Sequence, residues 1–166
     1  MISQSLLPEF DMEMANTRKM LMRVPESEGA FRPHQKSMTL GRLAGHVAEM
    51  PIWASMTLSQ DDFDMRPADG PRYEAYVLKS TVDAVKFFDE NVRVARELLE
   101  AATDETLLRP WSLKDSGTTL MTMPKIAVLR SFVMNHLIHH RGQLGVYLRM
   151  NDVPLPAIYG PSADEQ

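Results

Sequence analysis

Cysteine is absent from this chain. That excludes disulfides, thiolate metal sites and a thiol nucleophile supplied by the protein itself. Any metal must be held by histidine, carboxylate or water, and any reacting thiol must arrive as a ligand. Long apolar runs are also lacking. No stretch approaches the roughly 18 uninterrupted apolar residues of a spanning helix, so no membrane segment is expected. The start, Met1-Ile2-Ser3-Gln4, shows no basic segment followed by an apolar one, so no secretory leader is expected and a cytoplasmic location is the default. Basic excess is lacking too. Lys and Arg number 18 against 22 Asp and Glu, a net charge of −4. With no basic stripe in view, nucleic acid is not the expected partner. There is no internal repeat and no low-complexity segment.

What is present fits one globular domain over residues 1–166. The hydrophobic fraction is 44%, and a chain of this length can bury a substantial core. The 13 methionines read as adaptable core filler. Four segments carry helical periodicity. In the first, 6–22, Leu6, Phe10, Met14, Thr17 and Leu21 recur at three- and four-residue steps, with Pro8 suited to a first turn. In the second, 39–58, Leu40, Leu43, Val47 and Met50 make a stripe, Ser37 or Thr39 is the candidate N-cap, and Pro51 predicts a kink or break. Residues 60–72, with four aspartates, two prolines and a glycine, read as an exposed loop. The third segment, 79–102, buries Val82, Val85, Phe88, Val92, Ala95 and Leu99. Residues 109–124 break the pattern as a long loop or a short β-hairpin. The fourth segment, 124–150, begins with proline and ends before Asn151. The simplest architecture is all-α: an antiparallel four-helix bundle with a long connection between helices three and four.

Residues 135–143, Asn-His-Leu-Ile-His-His-Arg-Gly-Gln, hold three of the five histidines. A neutral imidazole nitrogen binds Zn, Ni, Cu or Fe. At about 100° per residue, His136 and His140 lie about 40° apart and one turn along. His136 and His139 lie about 60° apart in the other direction. Either pair supplies two ligands and neither supplies three. Of the remaining histidines, His34 sits in a Pro-flanked loop, whereas His46 lies between Leu43, Val47 and Met50 on the inner side of the second helix. Two histidines from helix four and one from helix two would match a catalytic site, which keeps a position open for water or substrate. Glu49, one turn beyond His46, is a further carboxylate but reads as a solvated residue.

Two motifs carry a resemblance. The stretch NHLIHHRGQLGVYLRMNDVPLPAIYGP, residues 135–161, resembles the C-terminal signature of the DinB/YfiT-like family of metalloenzyme-type four-helix bundles. LGRLAGHVAEMP, residues 40–51, is similar to that family's histidine-bearing second helix. The resemblance covers most of the chain. It maps the family's three metal-binding histidines onto His46, His136 and His140, with His139 as the additional histidine before the last ligand. Asp152 stands where the family's NGVP-like turn has glycine. The resemblance implies a homodimer, a divalent metal such as Ni or Zn, and a small-molecule substrate. Related members include thiol-dependent S-transferases and a mycothiol-dependent maleylpyruvate isomerase.

Three functional readings follow. The first is a thiol-dependent S-transferase, in which a low-molecular-weight thiol binds the metal as thiolate and attacks an electrophile. Asn135, His139 and Gln143 are then candidates to orient the ligand rings. Met50, Trp53 and Trp111 are candidate pocket walls, with core packing as the alternative. Arg141, about 100° beyond His140, should point away toward a structural or subunit contact. The second is a metal-dependent hydrolase with Glu49 or Asp115 as base. The third is a non-catalytic metal-binding, stress-related protein.

Overall fold

A computed structural model describes residues 1–165. Helix α1 is Ile2–Leu21, α2 is Leu40–Ser59, α3 is Thr81–Ala101 and α4 is the short Asp104–Leu108. The final helix, α5, comprises three consecutive segments: Lys125–Ala127, a π-helical Val128–Met134, and Asn135–Met150. Three strands complete the fold: β1, Asp62–Asp64; β2, Pro110–Asp115; and β3, Thr118–Pro124. They form one mixed sheet in the order β1-β2-β3, parallel between β1 and β2 and antiparallel between β2 and β3.

The expectation of an all-α four-helix bundle is therefore corrected. Among the described residues the chain has five helices and a three-stranded sheet. Of the two readings of 109–124, the hairpin is found. Ser116 and Gly117 turn it with φ of 51° and 79°, the left-handed region that hairpin turns require. The acidic stretch read as loop contributes β1. Its Asp64 accepts hydrogen bonds from the amides of Ser116 and Gly117, fastening the hairpin turn to the first strand. Trp111 and Leu113 of β2 face the core.

Helix starts follow their side chains. Thr39 accepts from the Arg42 amide, and Ser80 accepts from the Asp83 amide, each satisfying an otherwise unpaired N–H. Pro51 does not break α2, which continues to Ser59. Pro8 lies inside α1 rather than in its first turn, because α1 begins four residues earlier than the apolar pattern indicates. Val82 is 74% exposed and not part of the buried face of α3, which is made by Ala84, Phe88, Ala95 and Leu99.

Helix α2 is the centre of the molecule. It packs on α3 and on α5, and it buries residues around most of its circumference, from Leu40 to Leu58. Helix α5 buries Leu129, Val133, Leu137, Leu144 and Leu148 along one stripe. Each such side chain contributes about 1.5–3 kcal/mol by leaving water. This packing sets the inner faces of α2 and α5 against each other, and both faces carry histidines. No described helix is long and apolar enough to cross a membrane.

Candidate metal centre

His46 of α2 and His136 and His140 of α5 meet between those two helices. One ring nitrogen from each lies within 4.8 Å of the others. His140 Nε2 is 2.8 Å from His136 Nε2, and His46 Nε2 is 3.5 Å from the same atom. A metal–nitrogen bond of about 2.1 Å places two tetrahedral ligand nitrogens about 3.4 Å apart, within the range of these separations. The cluster thus selects the i, i+4 pair of α5. His139 is exposed and outside the cluster, with its ring against that of His140.

In two of the rings the opposite nitrogen has its own partner. His46 Nδ1 is 2.7 Å from Glu49 Oε1, and a carboxylate oxygen can only accept, so Nδ1 carries the hydrogen. His140 Nδ1 donates to Gln143 Oε1 at 2.7 Å. The backbone carbonyl of Phe132, one turn before His136, acts to raise the pKa of the His136 ring. Phe132 lies in the π-helical segment, whose i to i+5 pattern loosens carbonyls from their usual i+4 partners. With Nδ1 protonated, the Nε2 atoms of His46 and His140 each present a lone pair, and His136 Nε2 converges on both. Two lone pairs at such distances repel unless a proton or a metal ion lies between them.

Protonation of the two α5 rings to imidazolium is disfavoured. Burial, the largest cause, pushes His140 down to about 4; the neighbouring His46, His136 and His139 act in the same direction, against the bond to Gln143. Burial also lowers His136, aided by His46 and opposed by the Phe132 carbonyl. Three imidazole nitrogens converging on one point are a donor set that divalent Zn or Ni takes. By the chemistry of its donors the cluster fits such an ion.

Glu49 is not the solvated residue that its sequence position suggested. It is 1% exposed. Burial acts to raise its pKa, but hydrogen bonds from His46, Arg42 and the Tyr76 amide outweigh this and hold it below the ordinary carboxylate range. Arg42 Nη2 donates to Oε1 at 2.9 Å, and the Tyr76 amide donates to Oε2 at 2.6 Å. Both oxygens are engaged, so Glu49 orients His46 and is not free as a base. Asp115, the other candidate base, pairs with Arg66 at the end of β2.

Of the proposed orienting residues, Gln143 is in place. Asn135 is exposed, without a side-chain bond to the cluster. Met50 and Trp111 are core residues. Trp53 belongs to an aromatic wall: its ring contacts Phe63, Tyr73 and Phe132 at centroid distances of 5.6, 5.3 and 5.6 Å, and Phe132 lies 5.6 Å from His136. Arg141 points away from the cluster, as its angle on the helix requires, and is buried against Glu13 of α1. Sequence reasoning missed Arg42, Tyr76 and Phe132. The i, i+3 spacing of His46 and Glu49 was the available signal for Glu49; contacts made through backbone N–H and C=O leave no trace in residue identity.

Known proteins resemble this chain in sequence and fold. The chain is 28% identical over 163 residues to the uncharacterized protein YrdA of Bacillus subtilis, covering 96% of this chain and 89% of that protein. The crystal structure of a DinB-like protein from Bacillus cereus superposes with a TM-score of 0.72 at 25% identity, covering 94% of this chain and 97% of that one. The DinB-like protein YjoA of Bacillus subtilis shares the fold, with a TM-score of 0.64 at 20% identity over 92% of this chain and 96% of its own. Residues 3–166 match the DinB family, and the chain belongs to it.

Proposed function

We propose that this protein is a metal-dependent S-transferase that joins a low-molecular-weight thiol to a small electrophile, with His46, His136 and His140 as the metal ligands. The observation that carries the metal reading is the convergence of three Nε2 atoms, with the His46 and His140 rings held from behind. Bound there, a divalent ion such as Ni or Zn supplies Lewis acidity that lowers the pKa of a coordinated thiol.

The chain's own residues do the rest. Glu49 and Gln143 keep the Nδ1 protons of His46 and His140 in place and their Nε2 atoms aimed. The wall of Trp53, Tyr73, Phe63 and Phe132 offers an apolar surface beside His136 for the electrophile. The chain contributes no thiol, so the nucleophile is a ligand. Hydrolysis is less well supported. It calls for a base near the bound water, and the two carboxylates considered for that role are engaged with His46, Arg42 and Tyr76 or with Arg66.

The test is loss of free thiol in mixtures of metal-loaded protein, a panel of low-molecular-weight thiols and a panel of electrophiles. The expected result is consumption with at least one pair, abolished by chelation and by His140→Ala. Failure with every pair would contradict the transferase reading.

A further inference from the structure

Residues 71–80 join the first strand to α3 without regular structure, yet their middle is held against the histidine cluster. The Tyr76 amide donates to one oxygen of Glu49, whose other oxygen accepts from His46 Nδ1. This approach to α2 depends on Gly45, the residue before His46. A Cβ at position 45 would stand 2.8 Å from the Tyr76 carbonyl oxygen, closer than real contacts allow. The same segment meets the cluster a second time. Tyr73 packs on Trp53, Trp53 on Phe132, and Phe132 on His136. On its outer side, the Tyr76 ring stacks on Phe87 of α3 at 4.2 Å.

We propose that residues 71–80 form a strap whose docking and metal binding reinforce each other, with Glu49 as the positioning residue between them; this rests on the metal-centre reading above. Glu49 is shared between the strap and a ligand. A metal ion on Nε2 fixes the His46 ring and makes its Nδ1–H a stronger donor, which fixes the carboxylate that receives Tyr76. In the other direction, the docked Tyr76 amide and Arg42 fix the carboxylate that aims His46. Such coupling is reciprocal by thermodynamic necessity. Release of the strap would also carry Tyr73 away from the aromatic wall, so strap docking sets how enclosed the site is. If instead the Tyr76–Phe87 stack alone held the strap, metal would leave its dynamics unchanged.

The experiment is hydrogen exchange of the strap amides in the full chain with zinc and with chelator, alongside cobalt titration followed by its visible absorption. Metal is expected to slow exchange at the Tyr76 amide about tenfold or more. Glu49→Gln is expected to weaken cobalt binding about 10- to 100-fold, and saturating metal should no longer slow its strap. Gly45→Ala, at a residue that ligates nothing, is expected to weaken cobalt binding about tenfold by displacing the strap. Wild-type strap exchange indifferent to a metal that demonstrably binds would overturn the proposal. So would wild-type cobalt affinity in both variants. Absence of cobalt binding in the wild type would overturn the metal-centre reading itself. If Glu49→Gln does not fold, the wild-type comparison decides alone.

Discussion

Replacing Arg141 with alanine is expected to destabilise the protein by about 3–5 kcal/mol while leaving its metal content unchanged. Arg141 follows His140 directly but occupies a different face of α5. It is 3% exposed. Its Nη1 donates to the Glu13 carbonyl at 3.0 Å and to Thr17 Oγ1 at 3.2 Å, and its Nη2 lies 2.6 Å from the Glu13 carboxylate. Tyr159 donates to the same carboxylate. Alanine would leave Glu13 charged and buried with only the Tyr159 hydroxyl for compensation, a large cost because water cannot replace the lost cation. For a chain of this length the loss corresponds to a fall in Tm of about 6–20 °C. Replacing both Arg141 and Glu13 with apolar residues of similar volume should cost much less than the single change. Urea denaturation of the single and double variants measures this. A single-variant loss below about 1 kcal/mol would contradict the buried-pair account, and loss of metal would contradict the division of roles between neighbouring residues.

Loading chelated protein with zinc or nickel at about a thousand times Kd is expected to stabilise it by about 4 kcal/mol near neutral pH. Acidification is expected to remove this gain. In the metal-free protein His140 has a folded pKa of about 4 against an ordinary value of 6.5, and His136 is lowered as well. Between those values the unfolded chain binds more protons than the folded one, so stability must fall as pH drops. The metal-free protein therefore holds its full stability above 6.5 and loses part of it as pH falls toward 4. In the loaded protein, protons compete for the same Nε2 atoms, so the metal-dependent increment declines as well. Urea denaturation with metal and with chelator, repeated across this range, checks both curves. Equal stability with and without metal at neutral pH would contradict the account, as would a metal-free protein that gains stability on acidification.

Periodicity made the long helices legible and the sheet much less so. Leu40, Leu43, Val47 and Met50 repeat at helical spacing and do line a buried face. The strand β1 is only Asp62–Asp64, three residues with two carboxylates, and its parallel partner lies about fifty positions later. No local pattern announces such a pairing. The π-helical turn before His136 is equally silent, since Val128–Met134 reads as ordinary amphipathic helix. Asp152, which departs from the glycine of the resembling turn, adopts φ of 55°, a conformation that aspartate tolerates better than most residues. At the site, helical angle left two histidine pairs open and the family resemblance chose His136 with His140, while apolar neighbours placed His46 inside. The role of Glu49 stayed hidden because a buried carboxylate and a solvated one look alike in sequence. Its burial depends on Arg42, one turn before His46, and on an amide contributed 27 residues later by Tyr76.

The measurement that bears most directly on the central claim is elemental analysis of purified wild-type protein and of the single alanine variants at His46, His136, His139 and His140. The expected result is one divalent ion per chain in the wild type and in His139→Ala, and loss of stoichiometric metal in the other three. Retention of metal in His46→Ala, loss in His139→Ala, or absence of metal from the wild type after loading would contradict a centre built from His46, His136 and His140.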